Sequence, residues 1–197
     1  MHVTGPESFS YLLADRIFSI SPVSFFQANH SLAADLIKYA TSFQKNGDVL
    51  LDLYGGFGAY SFAVLDRFKE IIVVDGNSAA VQAANAHAKE HGINHLKAVN
   101  DSCENFLEKK LSLEQAKRVT HLIVNPSRTG MSPDVLKAIS PASFPSLKEL
   151  HYISCSPPTF ARDALSLMRF GLTLTDLVPF DMFPQTDHVE VGAKFMY

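Results

Sequence analysis

The sequence predicts an α/β domain on a mostly parallel seven-stranded sheet, with helices on both faces and an antiparallel hairpin at the C-terminal end. From Asp48 onward, short apolar runs alternate with longer helical patterns, as in successive βαβ units. Five of these runs are apolar almost throughout, which is typical of parallel strands buried on both faces. The last two runs are joined by a short loop, which favours antiparallel pairing.

The elements follow in order along the chain. Parallel strands are predicted over 48–54, 70–75, 95–100, 120–125 and 149–155, and the closing hairpin over 172–179 and 189–197. Asn77 or Ser78 can cap the helix after the second strand, and Gly92 can end it. An amphipathic helix is predicted over 28–43. No linker interrupts the chain, so we expect a single domain over 1–197, with 1–45 as an N-terminal extension and helix and 46–197 as the core.

Composition limits the classes of function. The 197 residues are 47% hydrophobic and 19% charged, which excludes a disordered chain. The formal net charge of −3 argues against binding of nucleic acid by bulk charge, so any contact with RNA or DNA is expected to be a local patch or to be supplied by another chain. Cys103 and Cys155 lie far apart, which favours a reduced, cytoplasmic protein. The longest charge-free stretch, 17–34, is too polar to span a membrane.

A glycine cluster and two acidic residues predict a nucleoside site at one edge of the sheet. Gly56 and Gly58 follow the first parallel strand, where glycines let the backbone turn and approach a ligand. Asp75 ends the second strand about 20 residues after Gly56, the spacing at which an acidic residue accepts hydrogen bonds from ribose hydroxyls. Asp101 ends the third strand, in reach of a base edge.

The ligand of this site is predicted from two nucleotide-binding motifs that are missing from the loop after the first parallel strand. Its glycine spacing departs from GxGxxG, and no P-loop lysine follows. S-adenosylmethionine is therefore favoured over a dinucleotide or a nucleoside triphosphate, because it has ribose and adenine but no pyrophosphate. The alternative is a tight strand-to-helix turn that binds no ligand.

Three segments at predicted strand ends carry reactive residue types. They are Ser154-Cys-Ser-Pro-Pro158, Asn125-Pro-Ser-Arg-Thr-Gly130 and Asp181-Met-Phe-Pro-Gln-Thr-Asp-His-Val-Glu190. Taken alone, Cys155 is most simply a small buried hydrophobe. The alternatives to a functional role are an exposed strand residue for Glu190 and a surface ion pair or helix cap for Arg128.

Together these segments resemble the RNA 5-methyluridine methyltransferases, which use S-adenosylmethionine to methylate carbon 5 of uracil in tRNA and rRNA. The chain also has Ser24-Phe-Phe-Gln-Ala-Asn29 for the family's SFFQxN, Leu51-Asp-Leu-Tyr-Gly-Gly-Phe-Gly58 for LDLYCGxG, and Thr159-Phe-Ala-Arg-Asp163 for TLARD. The three segments above correspond to SCNP, DPPRxG and DMFPxTxHVE. The resemblance covers nearly the whole chain. It implies a Rossmann-like methyltransferase catalytic domain, without the RNA-binding barrel or the iron–sulfur cysteines of many members. RNA is therefore the expected partner, bound weakly by this chain alone, and DNA is not.

The resemblance also assigns residues. It implies Cys155 as the nucleophile and Glu190 as the general base. Positions that hold the cofactor or line its pocket fall on or next to Gln27, Tyr54, Asp75, Asp101 and Asn125. Arg128 and Phe183 are candidate substrate contacts, Phe183 by stacking on a base or, equally, as a core residue.

The chemistry requires these residue types. Carbon 5 of uracil becomes nucleophilic only after a thiolate adds to carbon 6. A carboxylate must then remove the proton from carbon 5 so that the cysteine can leave. We therefore expect a partly ionised Cys155, with Arg128 and the start of the helix after Pro157 as the source of positive charge.

Four departures from the family pattern keep two alternatives open. Asn125 replaces the family aspartate, Ser127 a proline, Gly55 a cysteine and Ser156 an asparagine. Asparagine keeps an acceptor but loses the negative charge. One alternative is an amino-group N-methyltransferase, which usually has an aromatic residue where Arg128 stands. The other is a non-catalytic S-adenosylmethionine-binding module, against which the retained Cys155 and Glu190 count.

Histidines at four-residue intervals raise the question of a metal site. His87, His91 and His95 follow this spacing, and a helical pair of this kind can bind zinc. Gly92 is expected to end the helix before His95, and no nearby cysteine or carboxylate set completes the site. We therefore expect no metal.

Overall fold

The structure is a computed structural model. It describes the backbone of residues 9–13, 16–20, 30–182, 184–186 and 188–197, with side chains from Leu32 onward. The segment 24–29, which contains Gln27, lies outside the described residues, as does Phe183. No helix among the described residues is long and apolar enough to cross a membrane.

A two-stranded antiparallel hairpin precedes the main sheet. Its strands are β1 (Phe9–Leu13) and β2 (Arg16–Ile20). The strands of the main sheet are β3 (Gly47–Leu53), β4 (Phe68–Asp75), β5 (Leu96–Asn100), β6 (Val119–Val124), β7 (Glu149–Ser154), β8 (Thr173–Phe180) and β9 (Glu190–Met196). The helices are α1 (His30–Ala40), α2 (Ala59–Phe62), α3 (Ser78–Glu90), α4 (Cys103–Asn105), α5 (Leu113–Arg118), α6 (Pro133–Ala138) and α7 (Pro157–Arg169). A 3₁₀ turn spans Leu65–Arg67 and a π-helical turn spans Phe106–Lys110.

The main sheet has the strand order β5-β4-β3-β6-β7-β9-β8. The first five strands in this order are parallel, and β9 runs antiparallel to both β7 and β8. The predicted parallel sheet with a C-terminal antiparallel hairpin is confirmed. The direction of winding reverses between β3 and β6, so a ligand crevice is expected beyond the carboxyl ends of these two strands.

Helices cover both faces of the sheet, as predicted. On one face, α1, α2 and α3 bury side chains such as Leu36, Phe62 and Val81 against the strands. On the other, α6 and α7 bury Val135 and Leu167. Successive strand residues point to opposite faces, so the continuous apolar runs supply both layers of the core.

The predicted helix signals agree with the structure. The side chain of Asn77 accepts hydrogen bonds from the backbone N–H groups of Ala79 and Ala80 and so caps α3. Gly92 follows this helix with a φ of +64°. The described part of the predicted helix over 28–43 is α1, which ends at Ala40.

Candidate active site

The turn from β3 into α2 forms a loop with three left-handed residues. Tyr54, Gly56 and Gly58 have φ values of 58°, 58° and 85°. A Cβ on Gly56 would meet nothing within 4 Å, so the backbone there is open to a ligand. Tyr54 is strained in this region, because a bulky residue rarely adopts a positive φ. Hydrogen bonds from Gly55 N–H to the Val74 carbonyl (3.2 Å) and from Gly58 N–H to the Gly55 carbonyl (2.8 Å) hold the loop.

Asp75, at the end of β4, is hydrogen-bonded to this loop. Gly56 N–H donates to its Oδ2 (2.8 Å) and Asn77 N–H to its Oδ1 (2.7 Å). A carboxylate has about four acceptor positions, so the partly exposed Asp75 keeps two for further donors. Its place beside Gly56 fits the predicted contact with ribose hydroxyls.

Asp52 lies beneath the same loop, and sequence reasoning missed it. It is fully buried; Ser61 donates to its Oδ2 (2.6 Å), and its Oδ1 has no partner. Burial and the charge of Asp75 raise the pKa of Asp52 to about 7, against the hydrogen bond from Ser61, which lowers it. A Cβ on Gly55 would lie 2.8 Å from the Asp52 carboxyl carbon, so this glycine lets the loop pack onto the acid. The sequence signal that could have identified Asp52 is an aspartate within an otherwise apolar run.

The carboxylate of Asp101, which follows β5, already has several donors within the protein, which the sequence did not predict. Ser102 N–H and the Asn105 amide donate to its carboxylate, and Lys110 Nζ lies 2.7 Å from Oδ2. Hydrogen bonds from Lys110 and then Asn105 hold its pKa below the ordinary value. A base edge at Asp101 must therefore compete with these donors.

Asn125 lies next to the glycine loop at the reversal point of the sheet. Its N–H donates to the carbonyl of Leu53, the last residue of β3 (3.2 Å). The segment that follows borders an open cleft of about 300 Å³, with Tyr54, Glu104 and Arg162 among its lining residues. Tyr54 and Asn125 thus directly follow the adjacent strands β3 and β6, at the same edge of the sheet.

Cys155 and Glu190 meet at the end of β7. Ser154 pairs with Val191 in the antiparallel register of β7 and β9, so the next residue along β7, Cys155, comes opposite Glu190. Cys155 is half-buried, and Glu190 is only 4% exposed. The reading of Glu190 as an exposed strand residue is therefore wrong, because β9 lies between two other strands.

Arg128 acts electrostatically on both groups. Burial and then the charge of Glu190 raise the pKa of the Cys155 thiol, and Arg128 lowers it by its charge and by hydrogen bonding. Burial raises the pKa of the Glu190 carboxyl, and Arg128 opposes this change. Burial and the nearby carboxylate outweigh the cation, so the pKa of the thiol lies above its ordinary value, opposite to the shift expected from Arg128 alone.

The three histidines take separate structural roles. His87 packs against Phe62 and His91, and His95 Nε2 lies 2.9 Å from the Leu65 carbonyl oxygen. In the part of the chain that the structure describes, no group of three His, Cys, Asp or Glu residues is placed to hold a metal ion.

Comparison with known proteins places this geometry in a family. A family model described as tRNA (Uracil-5-)-methyltransferase matches residues 13–196. A protein of Thermotoga maritima described as an uncharacterized RNA methyltransferase is 34% identical over 181 residues, which are 91% of this chain and 39% of that protein. A tRNA (uracil(54)-C(5))-methyltransferase of Pyrococcus horikoshii is 32% identical over 194 residues, which are 98% of this chain and 44% of that protein.

A solved structure supports the same relationship. The tRNA (uracil-54, C5)-methyltransferase of Pyrococcus abyssi, in complex with S-adenosyl-L-homocysteine, superposes with a TM-score of 0.80 at 29% identity. The match covers 98% of this chain and 45% of that chain. The chain therefore spans less than half the length of these relatives.

Proposed function

Because this chain belongs to the tRNA (uracil-5-)-methyltransferase family, we propose that it transfers a methyl group from S-adenosylmethionine to carbon 5 of a uridine in RNA. The observation that carries the proposal is the register of β7 and β9, which sets Cys155 opposite Glu190. Arg128 acts on both groups. A thiol, a carboxylate and a cation at one strand end are the groups that this reaction needs.

The residues of the glycine loop fit S-adenosylmethionine. Gly56 leaves the backbone open at the carboxyl end of β3, and Asp75 has acceptor positions left for the ribose. Tyr54 and Asn125 are proposed to line the pocket, with Gly58 in the loop and Asp101 toward the base. The relative from Pyrococcus abyssi was solved with the demethylated product S-adenosyl-L-homocysteine, which supports this cofactor.

The proposed mechanism begins at Cys155. Its Sγ, as the thiolate that remains after the thiol has lost its proton to solvent, forms a bond to carbon 6 of uracil, and the electron pair of the 5,6 double bond moves toward oxygen 4 as an enolate. When bound, S-adenosylmethionine supplies an electrophilic methyl group for the nucleophilic carbon 5. Glu190 then removes the proton from carbon 5; the double bond re-forms, the bond between carbon 6 and sulfur breaks, and Cys155 leaves as a thiolate.

Arg128 has two roles in this mechanism. Its positive charge favours the thiolate of Cys155 and the carboxylate of Glu190 over their protonated forms. Its exposed position also suits contact with the phosphate or base of an entering nucleotide.

We propose tRNA or rRNA as the substrate, bound weakly by this chain on its own. The formal net charge of −3 supports this, because sequence-independent affinity for RNA comes largely from cationic side chains. Binding to either RNA should weaken with added salt by a shallow slope, because that slope is proportional to the number of phosphates the protein neutralises. Filter binding at two salt concentrations measures this, and tight binding that ignores salt would contradict it.

Trapping with 5-fluorouridine RNA tests the mechanism. Fluorine at carbon 5 cannot be removed as a proton, so elimination stalls and a covalent complex that survives denaturant should accumulate. Cys155→Ser should abolish this complex, because a hydroxyl is far less ionised than a thiol. Cys103→Ala is the matched control: this cysteine is buried next to Tyr54 and not at the end of β7, and its loss should leave trapping by Cys155 intact.

Glu190→Gln gives an independent prediction. The adduct should still form and should persist on ordinary uridine, because no base removes the proton. If the wild type forms no adduct at high RNA concentration and low salt, the proposed mechanism is wrong and the non-catalytic alternative is favoured. A methyl group found on an amino nitrogen would instead support the N-methyltransferase.

A further inference from the structure

We propose that Asp163 is a positioning residue that holds the loop of residues 126–131, and with it Arg128, against Cys155. The inference rests on the proposed function, because it concerns the cation beside the reacting thiol. It goes further by assigning the placement of that cation to a buried carboxylate on a different element.

Asp163 lies on the buried side of α7 and is fully buried. Its Oδ2 accepts hydrogen bonds from Tyr152 Oη (2.7 Å) and from Met131 N–H (2.7 Å). Its Oδ1 accepts from Arg162 Nε (2.8 Å) and Nη2 (2.6 Å). Hydrogen bonds to an ionised group are roughly twice as strong as neutral ones, so this carboxylate is a firm anchor for Met131.

The rest of the loop is bonded to the same helix. Arg162 Nη2 donates to the carbonyl of Thr129 (2.9 Å), and Thr159 Oγ1 donates to the carbonyl of Arg128 (3.1 Å). The backbone of the loop is therefore attached to α7 at three of its residues, Arg128, Thr129 and Met131.

Gly130 shows how closely the loop approaches Asp163. Its φ is +76°, and a Cβ there would lie 2.5 Å from Asp163 Oδ2 and 2.6 Å from Arg162 Nη2. A larger residue would have to push the loop away from the carboxylate. The glycine at this position is therefore needed both for the backbone conformation and for contact with Asp163.

Helix α7 thus positions both the Cys155 thiol and the Arg128 cation. Helix α7 begins at Pro157, two residues after Cys155, and Thr159 Oγ1 also donates to the carbonyl of Ser156 (3.0 Å). The same helix fixes the loop that carries Arg128. The gap between guanidinium and thiol is therefore set through α7, and loosening the loop should let the exposed Arg128 side chain move away.

The reactivity of the Cys155 thiol tests this without RNA or cofactor. In a Cys103→Ala background, the pH profile of alkylation by iodoacetamide reports on Cys155 alone. Asp163→Asn and Gly130→Ala should each raise the apparent pKa of the thiol by roughly half to one unit. The rate near neutral pH should then fall about three- to tenfold. Arg128→Gln should have the same effect.

Two controls separate positioning from general destabilisation. Tyr152→Phe removes the hydrogen bond from Tyr152 Oη to Asp163 Oδ2, which is as long as the bond from Met131 N–H to the same oxygen. It leaves the bonds between Asp163 and the loop in place. It should therefore lower thermal stability and leave the alkylation profile unchanged. Asp163→Asn added to Arg128→Gln should cause no further change, because both variants remove the same influence on the thiol.

Several outcomes would overturn the proposal. These are an unchanged profile in Asp163→Asn, an equal shift in Tyr152→Phe, or a further shift in the double variant. If Asp163→Asn does not fold, Gly130→Ala decides the question by the same comparison. Failure of the proposed function would appear separately, as absent covalent trapping in a protein whose alkylation profiles follow the expected pattern.

Discussion

Replacing the buried acid beneath the glycine loop should change how stability depends on pH. Asp52 has no partner for its Oδ1, and its pKa is raised from 3.8 to about 7. A group with a raised pKa in the folded state contributes stability fully below its unfolded pKa and loses it as pH rises through the folded value. The wild type should therefore lose this contribution from about pH 4 to 7, whereas Asp52→Asn, neutral throughout, should not.

The size of the effect follows from the shift. Each pKa unit corresponds to about 1.4 kcal/mol, so the free energies of unfolding of variant and wild type should diverge by roughly 2–3 kcal/mol between pH 5 and pH 8. Most of the change should occur below pH 7, where the folded state keeps the proton that the unfolded state has lost. The buried amide of the variant also costs stability, but equally at both pH values, so it cancels in the comparison.

Urea unfolding at pH 5, 6, 7 and 8 measures this difference. Asp48→Asn is the matched control: it lies on the same strand, but Arg118 lowers the pKa of its carboxyl, so its removal should add no slope in this range. Ser61→Ala removes a hydrogen bond that lowers the pKa of Asp52, so the decline should extend above pH 7. Parallel curves for wild type and Asp52→Asn would refute the assignment of a proton to this site.

Two further predictions concern the cofactor site, and a third concerns a buried histidine in the central strand β6. Asp75→Asn should weaken binding of S-adenosylhomocysteine about 10- to 100-fold, because a charge-assisted hydrogen bond contributes roughly 1.5–3 kcal/mol. Unchanged affinity in a calorimetric titration would contradict the proposed contact between Asp75 and the ribose. Asn125→Asp should raise cofactor affinity or methylation rate, and a neutral or harmful effect on both would show a pocket adapted to asparagine. Burial lowers the pKa of His121 to about 4, so the contribution of this residue to stability should fall by about 2 kcal/mol from pH 7.5 to pH 5 as the unfolded state gains a proton. In an Asp52→Asn background, which removes the opposing contribution of Asp52, urea unfolding should show this fall and His121→Gln should reduce it; an equal fall with and without His121 would contradict the buried neutral histidine.

The parallel strands and their order along the chain could be predicted because each is a local apolar run. The run predicted over 70–75 contains the four consecutive buried residues of β4, Ile71 to Val74, and the structure extends the strand back to Phe68. The insertion of β9 between β7 and β8 could not be predicted in the same way. Alternation of apolar residues shows which face a residue takes, but strand neighbours are set by contacts far apart in sequence.

The same distinction explains the site. Asp75 and the glycine loop were predicted because their spacing along the chain carries the signal. The burial of Glu190 and its place opposite Cys155 depend on the register of β7 and β9, which no local pattern records. Asp163 was part of a matched motif, but its bond to Met131 joins two separate segments. Roles of this kind emerge only once the fold has brought the segments together.

The departure at Ser127 gives the attachments of the loop more weight in this chain. A proline at this position would fix φ and limit the conformations of the loop before any contact forms. Serine does not, and the turn relies on bonds from Gly130 N–H to the Ser127 carbonyl (2.9 Å) and between the hydroxyls of Ser127 and Thr129 (2.9 Å). Because these bonds lie within the loop, they shape it without attaching it to the sheet. The placement of Arg128 beside Cys155 must then come from α7, through the hydrogen bonds of Thr159, Arg162 and Asp163 to the loop, and Asp163 is the buried, charged member of this set.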